Sequence, residues 1–242
     1  MTPALVPRAL ALVVAALLVA VVAVACSSSE PTATPSPLGE DEVRFAATDG
    51  VMLQGRHFGE GDVGVILAHM FPADQESWTP FAETLAGEGF TAFTFNFRGY
   101  APSDGSKEAA RIDADLEGAL EHLAQRGVYD VFVIGASMGG TAAVKVAMGR
   151  SLLGIVALSA PAEFQGVTAM EDGQRLSVPT LFIAAEDDRT AQQAAAALFE
   201  AASQPRLLEI YAGGDHGTDL LNGQYGEQVR TRILDFLAAN SP

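Results

Sequence analysis

Residues 131–148, "VFVIGASMGGTAAVKVAM", are the most informative segment for the fold, because an apolar run is joined there to a helical pattern through one serine set between glycines. The hydrophobic run 131–134 predicts a buried strand, and residues 138–148 predict a helix. Ser137 therefore lies on the turn between the two elements. Such a turn is where an α/β protein presents a nucleophile, and small residues two before and two after the serine relieve the crowding of its backbone.

From residue 42 onward the chain alternates between strand-like and helix-like segments. The strand-like segments are residues 43–47, 52–57, 63–68, 91–96, 129–135, 152–159, 179–185 and 206–211, and the helix-like segments are 75–88, 108–126, 138–149, 191–203 and 224–239. From the third onward the strands are almost continuously hydrophobic, which is typical of parallel strands covered on both faces. The first two alternate more, which favours an antiparallel hairpin at one edge. The sequence therefore predicts a three-layer α/β domain over residues 42–242, with its site at the carboxyl ends of the strands.

The first 26 residues have the layout of a secretory signal. A short leader with Arg8 precedes an uncharged apolar run, residues 9–25. Alanines followed directly by Cys26 resemble a bacterial lipobox, in which the cysteine is lipidated and becomes the new N-terminus. We therefore predict a membrane lipid anchor on Cys26. An uncleaved signal anchor and plain secretion are the alternatives, because the apolar run is about long enough to span a bilayer.

Residues 27–41 form a segment of different composition, rich in serine, threonine and proline. Such a segment does not bury a core, and it suits an extended linker. Signal, linker and domain together predict an extracytoplasmic, membrane-anchored lipoprotein whose folded domain begins at residue 42.

The charge balance and the single cysteine narrow the class of partner. The chain has 30 acidic and 14 basic residues, a formal net charge of −16. This argues against nucleic acid as a partner, because phosphate binding needs a basic face. Cys26 is the one cysteine, so the chain has no internal disulfide and no cysteine-based zinc site.

A serine nucleophile needs a base, and four histidines compete for that role. His57 falls inside an early strand and His122 on the surface of a helix, where a satisfied or solvated histidine is the ordinary interpretation. His69 ends the third strand. His216, in "YAGGDHGTDL", lies in a glycine-rich loop after the last strand, so it projects over the same sheet edge as Ser137.

The base needs an orienting carboxylate from a loop after a strand that lies between the serine and His216. The segment "LFIAAEDDRT", residues 181–190, supplies it directly after a predicted strand. Asp188 is the first choice and Asp187 the alternative. Asp215 is disfavoured, because it would have to fold back along its own backbone. The predicted order is serine, aspartate, histidine.

The serine turn, acid loop and histidine loop in this order resemble the α/β-hydrolase family. The stretch "VGVILAHMFPADQESWTPFAETLAGEGFTAFTFNFRGYAPSDG", residues 63–105, is also similar to the family's segment around the oxyanion-hole strand. The resemblance covers most of residues 43–239, and it is closest to serine esterases and dienelactone-hydrolase-like members with a small cap. It implies an α/β-hydrolase fold with a mostly parallel sheet and an antiparallel N-terminal edge.

The resemblance also assigns roles to residues outside the triad. The backbone N–H groups of Phe71 and Met138 are expected to form the oxyanion hole. His69 is expected to be structural and to bond nearby loop backbone. The loop that contains Asn96 is expected to be scaffold around the pocket.

The connection that carries a cap in many relatives is short in this chain. Only 19 residues, 160–178, separate the predicted strands on either side of it, so a large cap domain is not expected. We predict an open cleft. Five side chains are candidates for an apolar lining, although each is equally a candidate for the core. They are Met70, Phe71, Trp78, Met138 and Phe164.

These features predict a serine hydrolase acting on a small-molecule carboxylic ester, thioester or amide through an acyl-enzyme on Ser137. Such chemistry requires neither a metal nor an organic cofactor. Acyl transfer to an alcohol or amine is one alternative, and a tethered binding protein without turnover is another. The natural substrate and the oligomeric state do not follow from the sequence.

Overall fold

The structure, a computed structural model, describes residue 39 and residues 41–170 and 175–242. The predicted signal, Cys26 and most of the predicted linker lie outside these residues. Within the described part of the chain, no helix is both long enough and apolar enough to cross a bilayer.

The described residues alternate strands and helices as the sequence predicts. The strands are β1 (Glu42–Ala46), β2 (Met52–Phe58), β3 (Val63–Ala68), β4 (Thr91–Phe95), β5 (Asp130–Ala136), β6 (Gly154–Leu158), β7 (Glu163–Phe164), β8 (Val167–Thr168), β9 (Thr180–Ala185) and β10 (Arg206–Tyr211). The α-helices are α1 (Thr79–Gly87), α2 (Ile112–Gln125), α3 (Met138–Ala147), α4 (Arg189–Ala201) and α5 (Gly226–Asn240). Short 3-10 helices span Gln75–Trp78, Ala109–Arg111 and Gly217–Leu221.

Eight strands form one sheet in the order β1-β2-β4-β3-β5-β6-β9-β10. The first two are antiparallel, with Val43 opposite Gly55, and β2 is also antiparallel to β4. The strands from β4 to β10 along this order are parallel. The prediction of a mostly parallel sheet with an antiparallel N-terminal edge is therefore confirmed. β5, which leads to Ser137, lies in the middle of the sheet.

Helices cover both faces of the sheet because neighbouring residues of each parallel strand point to opposite sides. Ile66 of β3 packs in one core cluster with Leu116 of α2, a cluster to which α3 and α4 also contribute. The next residue along the strand, Leu67, packs in the other cluster with Leu85 of α1 and Ile233 of α5. All of these side chains are fully buried or nearly so. Burying one such side chain contributes about 1.5–3 kcal/mol, so both layers hold the sheet in place.

The connection 160–178 contains a small hairpin, β7 paired with β8, which the sequence analysis did not identify. Each strand has two residues, too few for a period to be visible in the sequence. No cap domain is present in the described residues of this connection, in agreement with the prediction.

His57 and His122 form a pair at the edge of the domain. Their Nε2 atoms lie 2.9 Å apart in a hydrogen bond, and the ring of His122 packs on Phe45 and Phe93. His122 is thus satisfied, as expected, but half-buried against the sheet rather than on the helix surface. Burial, with smaller contributions from Arg126 and His122, lowers the pKa of His57 to about 4. Burial likewise lowers the pKa of His122.

We expect the free energy of unfolding to fall as the pH decreases from about 6.5 toward 4. In the unfolded chain a histidine takes up its proton near pH 6.5. In the folded chain burial lowers the pKa of His57 and of His69 to about 4 and also lowers that of His122. The unfolded state therefore binds more protons in this interval, and the stability that the neutral rings contribute is complete above pH 6.5 and is lost on acidification.

Urea unfolding at closely spaced pH values measures this dependence. His57→Gln is the matched variant, because it removes one titrating ring and leaves the carboxylates, which also titrate in acid, unchanged. Its free energy of unfolding should fall less steeply than that of the wild type. Two parallel curves would contradict the assignment.

Candidate active site

Ser137 lies on a sharp turn between β5 and α3. Its backbone has φ +47° and ψ −111°, in the region that favours glycine, so the residue is held in a strained conformation. Its amide donates to the carbonyl of Leu158 at 2.7 Å, which continues the pairing of β5 with β6 past the end of the strand. The turn places the hydroxyl at the carboxyl edge of the sheet, as predicted.

The glycines around Ser137 are required by close backbone approach. A Cβ at Gly135 would lie 2.5 Å from the backbone nitrogen of Gly140, and one at Gly139 would lie 2.9 Å from the Cβ of Ala68. Neither distance is sterically allowed, so the tight passage from strand to helix needs glycine at both positions. This is the physical origin of the glycine–serine–glycine spacing.

His216 and Asp188 meet at the same edge. His216 follows β10 and starts the 3-10 helix Gly217–Leu221, while Asp188 follows β9 and starts α4. The Nδ1 of His216 lies 2.5 Å from Oδ2 of Asp188. Because a carboxylate only accepts, Nδ1 carries the proton and Nε2 of a neutral ring is the atom free to act as a base.

Asp187, the alternative acid, is not the carboxylate bonded to His216. It is exposed, and its amide donates to the carbonyl of Gly213 at 2.8 Å. This bond ties the loop after β9 to the loop that carries His216. The geometry therefore pairs His216 with Asp188, the first choice from the sequence.

The loop that carries His216 packs against the start of the serine turn. A Cβ at Gly217 would lie 3.5 Å from the Cβ of Ala136, the residue before Ser137. In the described part of the chain no hydrogen bond joins Ser137 Oγ to His216. Bonds between nucleophile and base are often long until substrate binds, so the arrangement is compatible with proton transfer.

Phe71 and Met138, the residues expected to supply the oxyanion donors, lie at the ends of neighbouring strands. Met138 is the first residue of α3, where backbone N–H groups have no partner within the helix and the helix dipole favours negative charge. Phe71 follows β3, the neighbour of β5 in the sheet. Both residues line one apolar pocket.

His69 is buried and holds two loops together. Its Nδ1 donates to the carbonyl of Met70 at 2.9 Å, and its Nε2 accepts from the amide of Phe97 at 3.1 Å. Burial lowers the pKa of His69 to about 4, so the ring is neutral and both bonds are made by one tautomer. These are the backbone bonds expected of a structural histidine.

The loop after β4 is held by polar groups that the sequence analysis only outlined. Asn96 accepts from the amide of Gln75 and donates to the carbonyl of Ala101. Arg98 is buried and forms ion pairs with Asp49 at 2.9 Å and Asp115 at 2.6 Å. The two carboxylates lie far from Arg98 in sequence, which is why their pairing is not visible there.

An apolar pocket adjoins the serine turn, with about 300 Å³ of space that includes its opening to solvent. Three of the five expected lining residues, Phe71, Met138 and Phe164, form part of its wall. Trp78 does not, because it is fully buried in the core. Met70 is also outside the lining and packs toward Gly217. Phe71 is 46% exposed, so the pocket opens to solvent beside it.

The described residues contain no group of three or more histidine, cysteine, aspartate or glutamate side chains arranged to hold a metal ion. The polar groups at this edge include the hydroxyl of Ser137, the imidazole of His216 and the carboxylate of Asp188. This set suits nucleophilic attack with proton transfer.

Comparison with known proteins agrees with the fold. Residues 61–235, well over half of the chain, match the family described as alpha/beta hydrolase domain. The uncharacterized protein YfhR of Escherichia coli (strain K12) is 24% identical over 234 residues, 84% of this chain and 82% of YfhR. A thermostable monoacylglycerol lipase from Bacillus sp. (strain H-257) is 31% identical over 113 residues, 45% of each chain.

The solved structure of the Pyrococcus furiosus esterase Pf2001 shares the fold. It superposes with a TM-score of 0.72 at 18% sequence identity, over 82% of this chain and 91% of the esterase. At this level of identity the likeness concerns the fold, and the family match over residues 61–235 shows the family. The chain is therefore an enzyme of the alpha/beta hydrolase family.

Proposed function

We propose that the protein is a serine hydrolase that cleaves small carboxylic esters through an acyl-enzyme on Ser137. The observation that carries the proposal is the pair of Asp188 and His216, joined at 2.5 Å on the sheet edge where the strained serine turn ends β5. The relatives named esterase and monoacylglycerol lipase favour an ester as the substrate class.

In the proposed mechanism Nε2 of His216 takes the proton of Ser137 as Oγ attacks the ester carbonyl. Asp188 stabilises the resulting imidazolium through Nδ1. The tetrahedral intermediate collapses, the ester C–O bond breaks, and His216 gives its proton to the leaving alcohol. Water, deprotonated by the same histidine, then attacks the acyl-enzyme and releases the acid and the free serine.

The negative oxygen of each tetrahedral intermediate would be bound by the amides of Phe71 and Met138. Loss of one such donor typically costs about 10²–10³-fold in kcat. The adjoining apolar pocket would hold the acyl chain, because Phe164 and Ile112 add to its wall next to Met138. The modest size of the pocket favours short acyl chains over long ones.

The test of the proposal measures hydrolysis of p-nitrophenyl acetate and butyrate by the purified protein, with and without an added alcohol. Release of the free acid as the main product in both cases supports hydrolysis. Transfer of the acyl group mainly to the alcohol would favour acyl transfer. A folded protein with no turnover of either ester would overturn the proposal and favour a binding role.

Asp188→Asn is expected to lower kcat by about 10³–10⁴-fold with little loss of stability. An amide at this position no longer requires Nδ1 to carry the proton, so Nε2 is no longer kept free to accept one. Asp187→Asn is the matched control, because Asp187 is exposed and the carboxylate bonded to His216 is that of Asp188. Steady-state ester hydrolysis measures both. Equal losses in the two variants would contradict the choice of Asp188.

We also propose that the enzyme is anchored outside the cytoplasm by a lipid on Cys26. The apolar run, the small residues before the cysteine and the linker that follows support this. Detergent phase partition of the expressed full chain tests it. Cys26→Ala should move the protein to the aqueous phase or leave an unprocessed precursor, and unchanged processing and partition would contradict the lipid anchor.

A further inference from the structure

The end of β6 is hydrogen-bonded to the serine turn and to the loop that carries His216. The carbonyl of Leu158, the last residue of β6, accepts from the amide of Ser137 at 2.7 Å. The hydroxyl of the next residue, Ser159, accepts from the amide of Gly217 at 3.0 Å. Gly217 directly follows His216, so two adjacent residues of one strand end hold the nucleophile on one side and the base on the other.

Ser159 is itself rigidly placed. It is fully buried and has φ +49°, an uncommon conformation for a residue other than glycine. Its amide donates to the carbonyl of Ile183 in β9 at 2.8 Å. Because β9 leads to Asp188, the backbone of Ser159 is fixed between the strand of the nucleophile and the strand of the acid. A strained residue persists only where its surroundings determine it, and such residues cluster at functional sites.

The bond from Gly217 to Ser159 is buried at both ends. Gly217 is buried, with φ +58°, and a Cβ on it would contact Met70 and Ala136. Its amide is one of the first donors of a 3-10 helix, which have no partner within the helix. Removing the acceptor would leave a buried N–H unsatisfied, and the loop would move to satisfy it.

We propose that Ser159 is a positioning residue that sets the distance from His216 to Ser137. This proposal rests on the proposed function. Asp188 orients the ring of His216 by one bond, but a single bond leaves the ring free to move with its loop. The bond from Ser159 to the following amide fixes the loop relative to β6, and the bond from Leu158 fixes Ser137 relative to the same strand. Together they define the separation of nucleophile and base.

Ser159→Ala is the direct test, since it removes the acceptor and little volume. We expect kcat for p-nitrophenyl acetate to fall by about 10–100-fold, because a displacement of about 1 Å between reacting groups has effects of this size. KM should stay within about twofold, since the substrate pocket is untouched. The rate at which a fluorophosphonate labels Ser137 should fall in parallel with kcat.

Thr180→Val is the matched control. Thr180 is also fully buried, and its hydroxyl donates to a backbone carbonyl, that of Val178, at 2.9 Å. It begins β9, at the end of the strand remote from Asp188. We expect a melting temperature lowered about as much as in Ser159→Ala, with kcat within about twofold of the wild type.

Ser159→Cys replaces the hydroxyl by a slightly larger thiol that is a weaker acceptor, so its kcat should lie between those of the wild type and Ser159→Ala. If folded Ser159→Ala has the same kcat and the same labelling rate as the wild type, the positioning role is overturned. Equal losses of kcat in Ser159→Ala and Thr180→Val would also overturn it, because they would reflect stability alone. A wild-type protein that is not labelled at Ser137 would instead overturn the proposed function itself.

Discussion

Ser137→Ala is expected to lower kcat for ester hydrolysis by about 10⁶-fold, to the level left by the oxyanion donors and binding alone. The variant lacks the oxygen that forms the acyl-enzyme, and no other residue of the described site is placed to supply one. The substitution removes one atom from a small, largely buried side chain on the turn, so the melting temperature should change by no more than a few degrees. Steady-state kinetics and thermal unfolding measure the two quantities.

A control for this variant is Ser103→Ala. Ser103 is buried, and its hydroxyl bonds the carbonyl of Asn96 and the amide of Gln54 in the scaffold beside the pocket. Loss of the Ser103 hydroxyl should lower the melting temperature and leave most of the ester-hydrolysis activity. Turnover retained in Ser137→Ala would mean that the strained turn is not the nucleophile, and the proposed mechanism would be wrong.

His216→Ala is expected to lower kcat by about 10⁵–10⁶-fold, nearly as much as loss of the serine. Without the imidazole nothing removes the proton of Ser137, and the residues of a triad act as a unit, so their effects do not add. The variant that carries both Ser137→Ala and His216→Ala should therefore be no less active than either single variant. Steady-state kinetics on the two single variants and the double variant measure this non-additivity.

The other histidines supply the controls for His216. His57→Gln and His122→Gln should keep nearly full activity near neutral pH, because the pair lies between β2 and α2, which carry none of the proposed triad residues. His69→Gln should lower stability, since the bond from Phe97 is lost, and should affect activity only through the loop after β3. If His69→Gln is stable and loses more kcat than His216→Ala, then His69 is the base and His216 is not.

The sheet and its order of elements could be predicted because the parallel strands are buried on both faces and therefore read as unbroken apolar runs. β3 and β5 are examples, with nearly every residue buried. The serine turn could be predicted because its tight geometry demands glycine at fixed positions. The hairpin of β7 and β8 could not, since two-residue strands carry no period.

The contacts between distant residues could not be predicted from local pattern. His57 and His122 meet because β2 and α2 pack together, which no local feature of either segment indicates. Trp78 was as good a candidate for the pocket as Phe71, and only the packing of α1 on the sheet places it in the core. Asp187 and Asp188 differ by one position, so the choice depends on the direction of the chain as it enters α4.

The role proposed for Ser159 had one signal in the sequence, a small polar residue directly after a fully apolar strand. That signal is common in α/β proteins. The backbone bond to Gly217 and the positive φ are visible only in the structure.

The mass of the covalent adduct identifies the nucleophile. The purified protein is treated with a fluorophosphonate or briefly with p-nitrophenyl acetate, digested, and the modified peptide is sequenced by mass spectrometry. If Ser137 is the nucleophile, the wild type carries one phosphonyl or acetyl group on Ser137 and the Ser137→Ala variant carries none. Modification of another residue, or equal modification of both proteins, would contradict the assignment of Ser137 as the nucleophile.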